Sequence, residues 1–278
     1  MDLDFFFNPK SVAIIGASHT PGKVGYAILD DLLKGTFKGN VYPVNPDTAP
    51  ILNRTVYPSV KTIPDEIDLA VIAVPAKGVP KVLKECVDKK VRGVVIVSGG
   101  FSEIGGEGRK LEEKCKKIIK GKKTRVIGPN CLGTYDPSTD LDVLFLTEER
   151  MGRPKAGSIA FITQSGAVGS TILDWLSGEK TGISKFVSYG NAMDINETEL
   201  LEYLAGDEST RVIAVYLEGL KSDGRKFIEA LKKTVKKKPV VVLKAGKTEK
   251  GSKAAISHTA SLAGDARIYS AVFKQFGA

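Results

Sequence analysis

Histidine is scarce in this sequence. There are only two in 278 residues, His19 and His258, and imidazoles so far apart exclude a histidine-based metal site. Cysteine is nearly as scarce: Cys86, Cys115 and Cys131 are scattered and odd in number. That is neither a disulfide framework nor a metal-ligand spacing, and it fits a reducing cytoplasm. No apolar run approaches the roughly 18 residues a membrane span needs. The opening MDLDFFFNPK is acidic before it is apolar, which excludes a signal peptide. Aromatic residues interleaved with bases are missing too, and so is any nucleic-acid reader motif, so no nucleic-acid partner is expected.

What is present is ordinary for a globular chain: 42% hydrophobic and 26% charged residues, enough for two domains with sizeable cores. The net charge is +9. With nucleic acid set aside, a solvated basic face or a phosphate-rich small ligand accounts for it.

Short Val/Ile-rich runs recur, each ending in Gly, Ser, Pro or Asn: SVAIIGAS, NVYPVN, DLAVIAVP, GVVIVSGG and RVIGPN, then SIAFITQSG, KFVSYGN, RVIAVYLEG and PVVVLKAG. Amphipathic stretches lie at 24–34, 78–90, 106–120, 167–178, 197–206, 222–236 and 265–276. Nearly continuous apolar strands alternating with helices predict parallel sheets covered on both faces and right-handed crossovers. The expectation is α/β in two domains, 1–128 and 129–278. Segment 129–157, aperiodic and carrying Pro, Gly and Asp, is read as the crossing between them. The terminal DARIYSAVFKQFGA reads as a helix running into a turn, where a further strand would normally follow.

The first strand leads into GASHTPGKVG. A glycine-rich turn before a helix aims backbone N–H groups, at the positive end of the helix dipole, toward an anion. Gly16, Gly22 and Gly25 are spaced more widely than the dinucleotide fingerprint G-x-G-x-x-G. The second strand ends at Asn45, where a ribose-binding acid would stand, and Lys23 sits within the turn. These features favour a ligand with more phosphate than NAD; coenzyme A has three, one of them on the ribose. Pro75, Ser98 and Gly99 lie at the ends of two further strands and leave room for an extended arm.

In the second half, Ser165 and Gly166 of FITQSGAVG stand at a helix N-terminus. They read either as an anion site or as a plain N-cap. Glu218 ends the apolar run RVIAVYLEG, either capping a turn or facing the ligand edge. His258 lies in ISHTASLAG, among residues too small to bury it. In a parallel sheet Ser165, Glu218 and the His258 loop leave on one carboxyl edge, where open α/β proteins bind ligands. A neutral imidazole can take a phosphoryl group, a carboxylate on its far nitrogen fixes the tautomer, and a helix N-terminus receives the phosphoryl oxygens.

At these residues the sequence resembles the nucleoside-diphosphate-forming acyl-CoA synthetases over essentially its whole length. The carriers are SVAIIGASHTPGKVGY, VYPVNP, AVPA, VSGGFSE, IGPNCLG, FITQSGAVG, YLEG and, above all, SHTASLAG. The resemblance implies an N-terminal Rossmann-like CoA-binding domain followed by a flavodoxin-like parallel α/β domain. It implies CoA at Gly16, Ser18, Pro21, Gly22 and Lys23, with Asn45, Pro75, Ser98 and Gly99 lining the rest. His258 becomes the phosphoryl carrier, Glu218 its orienting carboxylate, and Ser165 and Gly166 the phosphate-binding terminus. The implied partner is an ATP-grasp β subunit or fused domain, which would hold Mg-ADP or Mg-ATP in a cytoplasmic hetero-oligomer acting on a small carboxylate or its acyl-CoA. The alternatives are a CoA-binding regulatory module of the same fold and an NAD-dependent dehydrogenase. Retention of His258 with Glu218 argues against the first, and the turn spacing and Asn45 against the second.

Overall fold

A computed structural model describes residues 2–246 and 266–278. The first sheet is built from β1 (Ser11–Ile15), β2 (Asn40–Val44), β3 (Leu69–Ile72), β4 (Gly93–Ile96) and β5 (Arg125–Ile127) in the order β2-β1-β3-β4-β5. Every pairing is parallel. Helices α1 (Val24–Lys34), α2 (Val79–Asp88) and α3 (Gly106–Ile119) cover its two faces. The alternation of side chains across a strand shows why the runs are continuous. In β1, Val12 and Ile14 enter the core beneath α1, whereas Ala13 and Ile15 enter the core beneath α2 and α3. The order places β2 and β3 on opposite sides of β1, so the crevice of the sheet opens at the carboxyl ends of β1 and β3.

The second sheet contains β6 (Gly133–Asp136), β7 (Leu141–Asp142), β8 (Ala156–Thr163), β9 (Ile183–Ser188), β10 (Val212–Leu217) and β11 (Val240–Lys244). Its order is β11-β10-β8-β9-β6-β7. The four strands β8 to β11 are parallel to one another, with α4 (Gly166–Gly178), α5 (Glu197–Gly206), α6 (Gly224–Val235) and α7 (Ala266–Phe276). Each of the seven amphipathic stretches is helical within a residue or two at either end.

The structure differs from the sequence reading in two places. Segment 129–157 is not merely a crossing: β6 and β7 extend the second sheet antiparallel at β9. Four- and two-residue strands give too little alternation to be visible as a period. The second difference is coverage. In β10 and β11 alternate residues are only half-buried or exposed, Val241 and Leu243 being about 60% exposed. That end of the sheet is therefore covered on one face among the described residues.

The two sheets are locked together. Phe5, Phe6 and Phe7 are buried between them, and the Phe7 ring stacks on Tyr203 at 5.4 Å. Arg125 of β5 donates two hydrogen bonds to Asp194 and one to Glu199 across the boundary, at 2.7–3.0 Å. Arg153, with only 7% of its side chain exposed, lies between Asp31 of α1 and Asp142 of β7.

This last cluster makes stability pH-dependent. Burial pushes the Asp31 carboxyl up to about 7, and Asp142 adds to the effect. Arg153 offsets only part, because it is committed to Asp142 at 2.5 Å and reaches Asp31 at 3.3 Å. The folded chain thus keeps a proton that the unfolded chain releases near the ordinary value of 3.8. The stabilisation from that proton is complete at low pH and is lost as pH rises to about 7. Asp31→Asn is expected to flatten the fall in melting temperature between about pH 4 and about pH 7; an unchanged slope would assign it to another group.

Candidate functional site

The crevice of the first sheet is a cleft of about 630 Å³. Gly16, immediately after β1, takes φ +93°, which an L side chain resists. Its N–H continues the sheet by donating to the Val44 carbonyl at 2.9 Å. A Cβ on Gly25 would lie 1.9 Å from the Gly16 carbonyl oxygen, so the first turn of α1 packs directly on the strand end. Lys23 occupies the N-cap of α1 without a side-chain capping bond, which leaves first-turn N–H groups available to an anion. Gly16, Ser18, Lys23, Asn45, Pro75, Ser98 and Gly99 all line this cleft; Pro21 and Gly22 belong to the same turn but not to the lining. Asn45 supports the turn, donating to the Ala17 carbonyl at 2.6 Å. Ser98 donates to the Val74 carbonyl at 2.6 Å.

A second cleft, of about 510 Å³, opens between the domains. Gly166 and Ala167, at the start of α4, line it together with Asn130, Gln164 and Asn191. Ser165 is buried at the N-cap and its hydroxyl accepts from the Val168 N–H at 3.3 Å. It therefore shapes the terminus, while Gly166 faces the cavity. Asn191 donates to Glu103, Glu112 and Ser102 at 2.7–3.1 Å and so fixes the first domain's 99–103 loop against the second domain. Burial would raise the Glu103 carboxyl, but Asn191 and the Gly100 and Phe101 amides hold it below the usual range. The two clefts share Val97, Gly99 and Phe145 as a common wall.

Glu218 follows β10 directly and is 4% exposed. Its backbone is held by residues that sequence reasoning did not single out. The Gln164 Oε1 accepts from the Glu218 and Gly219 N–H groups at 2.6 and 3.0 Å, and its Nε2 donates to the Gly219 carbonyl at 2.8 Å. Lys244 Nζ donates to the Glu218 carbonyl at 2.7 Å. Glu197, fully buried, accepts from the Lys221 and Ser222 N–H groups at 2.9 Å. Gln164 sits inside the TQSG run, the one signal available; Glu197 reads in sequence as an ordinary first-turn acid. Burial, and the Glu218 carboxylate beside it, push the Tyr216 hydroxyl up.

His258 and its small-residue loop lie outside the described residues. Both flanks of that segment meet at Glu218, however. After β11 the Ala245 N–H donates to the Leu217 carbonyl at 2.9 Å, and Tyr269 of α7 accepts from the Leu220 N–H at 3.2 Å. The other histidine, His19, belongs to the first domain, with Nε2 3.0 Å from the Ala49 carbonyl. Among the described residues no three His, Cys, Asp or Glu side chains are grouped to hold a metal ion, and no helix is long and apolar enough to cross a membrane.

Two such domains, one with an open helix terminus behind a glycine turn and one with a second terminus beside a buried acid, define a two-domain α/β chain with a helix terminus at the carboxyl edge of each sheet. Comparison makes the class specific. Residues 10–137 match a CoA binding domain and residues 156–278 a succinyl-CoA ligase like flavodoxin domain. The chain belongs to the nucleoside-diphosphate-forming acyl-CoA synthetases and carries the two α-subunit domains of the ADP-forming acetate–CoA ligase type. It is 48% identical to the α subunit of acetate–CoA ligase [ADP-forming] I of Pyrococcus furiosus over 100% of its own length and 60% of that relative's. It is 49% identical to acetate–CoA ligase [ADP-forming] of Methanocaldococcus jannaschii, over 99% of its own length and 38% of the relative's. Among solved structures it resembles the acetyl-coenzyme A synthetase 1 of Ca. Korarchaeum cryptofilum in complex with phosphate and ADP. That likeness has a TM-score of 0.92 at 40% identity, covering 99% of this chain and 58% of the other.

Proposed function

We propose that this chain is the α chain, or its first two domains, of an ADP-forming acyl-CoA synthetase: acyl-CoA + ADP + phosphate ⇌ carboxylate + CoA + ATP. The observation that carries this reading is the shared wall of the two clefts. Among the described residues, the two clefts adjoin where Val97, Gly99 and Phe145 line both, which is where a thioester reaching along the first cleft would meet a phosphate held at the start of α4.

In the proposed sequence a phosphate oxygen attacks the thioester carbonyl carbon. The C–S bond breaks and the thiolate takes the phosphate's proton, leaving an acyl phosphate. The Gly166 and Ala167 N–H groups and the α4 dipole stabilise its negative oxygens. A ring nitrogen of His258 then attacks phosphorus, the bond from phosphorus to the acyl oxygen breaks, and the carboxylate departs. Glu218 accepts from the other ring N–H and stabilises the cationic ring. The phosphoryl group passes to Mg-ADP on an ATP-grasp β subunit or domain, so the active species is a hetero-oligomer or a longer fused chain. The three cysteines, all free and buried, suit a cytoplasmic enzyme.

CoA would lie along Gly16, Ser18, Pro21, Gly22 and Lys23, with its arm past Asn45, Pro75, Ser98 and Gly99. The residues suit a polyphosphate: the α1 terminus carries no capping side chain, and no acid stands at Asn45 to repel a ribose phosphate. CoA is therefore expected to raise the melting temperature and NAD is not. Gly25→Ala, whose Cβ would collide with the Gly16 carbonyl, is expected to abolish the CoA shift. Stabilisation of the parent chain by NAD alone would sink the reading.

A further inference from the structure

We infer that Phe145 is the specificity-determining side chain for the acyl group, closing the junction of the two clefts so that short aliphatic acyl groups are accepted and aryl or strongly branched ones are not. The inference deepens the proposed reaction and rests on it. If phosphate at α4 attacks a thioester held in the first cleft, the acyl carbon must sit where the clefts join. Among the described residues, three line both sides of that point. Gly99 has no side chain. Val97 is small and held at the end of β4, its N–H donating to the Ile72 carbonyl at 3.2 Å. Among the described residues Phe145 is the one large side chain at the junction, half-buried and packed against the core shared by the two sheets and against that of the second sheet. Beyond it the second cleft continues past Leu132 and Leu146, an apolar surface suited to an acyl tail rather than to phosphate.

The wall is built to stay in place. The Phe145 N–H donates to the Leu132 carbonyl at 3.3 Å. Arg153 ties down the loop that carries Phe145: NH2 donates to the Leu146 carbonyl at 2.6 Å, NH1 to the Met151 carbonyl at 2.7 Å, and Nε to Asp142. A buried guanidinium with most of its donors used holds its partners in one geometry. A pocket wall so fixed discriminates by size, at about 10–200-fold per methylene.

The test is equilibrium binding of acetyl-CoA, isobutyryl-CoA and phenylacetyl-CoA to the full chain and to Phe145→Ala, Phe145→Leu and Phe145→Trp. The parent chain is expected to prefer acetyl-CoA over phenylacetyl-CoA by at least about tenfold. The preference should shrink by about tenfold in the alanine variant, shrink less in the leucine variant and grow in the tryptophan variant. Leucine keeps most of the apolar packing, so the series remains readable where alanine fails to fold. Ratios unchanged across variants that still bind CoA overturn the role of Phe145. Failure of the parent chain to bind CoA at all overturns the reaction instead.

Discussion

Replacing His258 by alanine is expected to abolish the acid-labile, phosphorylated form of this chain, whether the donor is acetyl phosphate or ATP with the ATP-grasp partner. The loss should be complete rather than partial, because no second imidazole is placed to substitute: His19 is in the other domain beside the Ala49 carbonyl. A carboxylate is no replacement, since an acyl phosphate made on Glu218 would lack the nitrogen–phosphorus bond that gives acid lability. The expectation draws its structural support from the two ends of the 247–265 segment. Ala245 and Tyr269, described residues on either side of it, are both hydrogen-bonded into the turn that carries Glu218, the proposed orienting carboxylate. Mass spectrometric mapping of the phosphopeptide decides the matter. A label that survives in His258→Ala would place the carrier elsewhere.

The second large effect is expected at Glu218. Glu218→Gln should slow phosphorylation of the chain by about a hundredfold or more, the scale on which a positioned proton acceptor contributes. CoA affinity should change by less than about twofold, because Glu218 lines neither the α1 turn nor the first cleft. The substitution is a clean one. Gln164, Lys244 and Glu197 hold the turn through its main chain, and the amide keeps the size of the acid. What changes is the charge available to a cationic ring. Rapid-quench phosphorylation and calorimetric CoA binding, run on one preparation, separate the outcomes. Parallel loss of both would make Glu218 a structural residue.

The elements themselves were legible. The runs SVAII, LAVI and GVVI become buried parallel strands because both faces of the first sheet are covered, and the stretches between them become helices within a residue or two. The glycine turn was legible for a related reason: a left-handed φ at Gly16 and the contact at Gly25 leave the chain little choice of residue. Less could be read where a residue's role depends on what lies opposite. β6 and β7 were hidden because short antiparallel strands lack a period of their own. Ser165 and Gly166 looked equivalent in sequence, yet one caps and the other lines the cavity. Gln164, Glu197 and Lys244 gave no sign of converging on one turn, since they come from three different elements.

Local chemistry along the chain therefore determined which segments are strands and helices, where an anion can meet a helix terminus, and which residue types can carry phosphoryl chemistry. Those are properties of neighbours in sequence: apolar period, glycine conformation and the chemistry of His, Glu and Ser. The tertiary structure alone decided that the two clefts share a wall, that Phe145 stands in it, and that Arg153 ties down the loop that carries it. Such facts arise from packing the first sheet against the second through Phe5–Phe7, Arg125 and Asn191. Contacts between residues far apart in sequence leave no periodic trace in either partner.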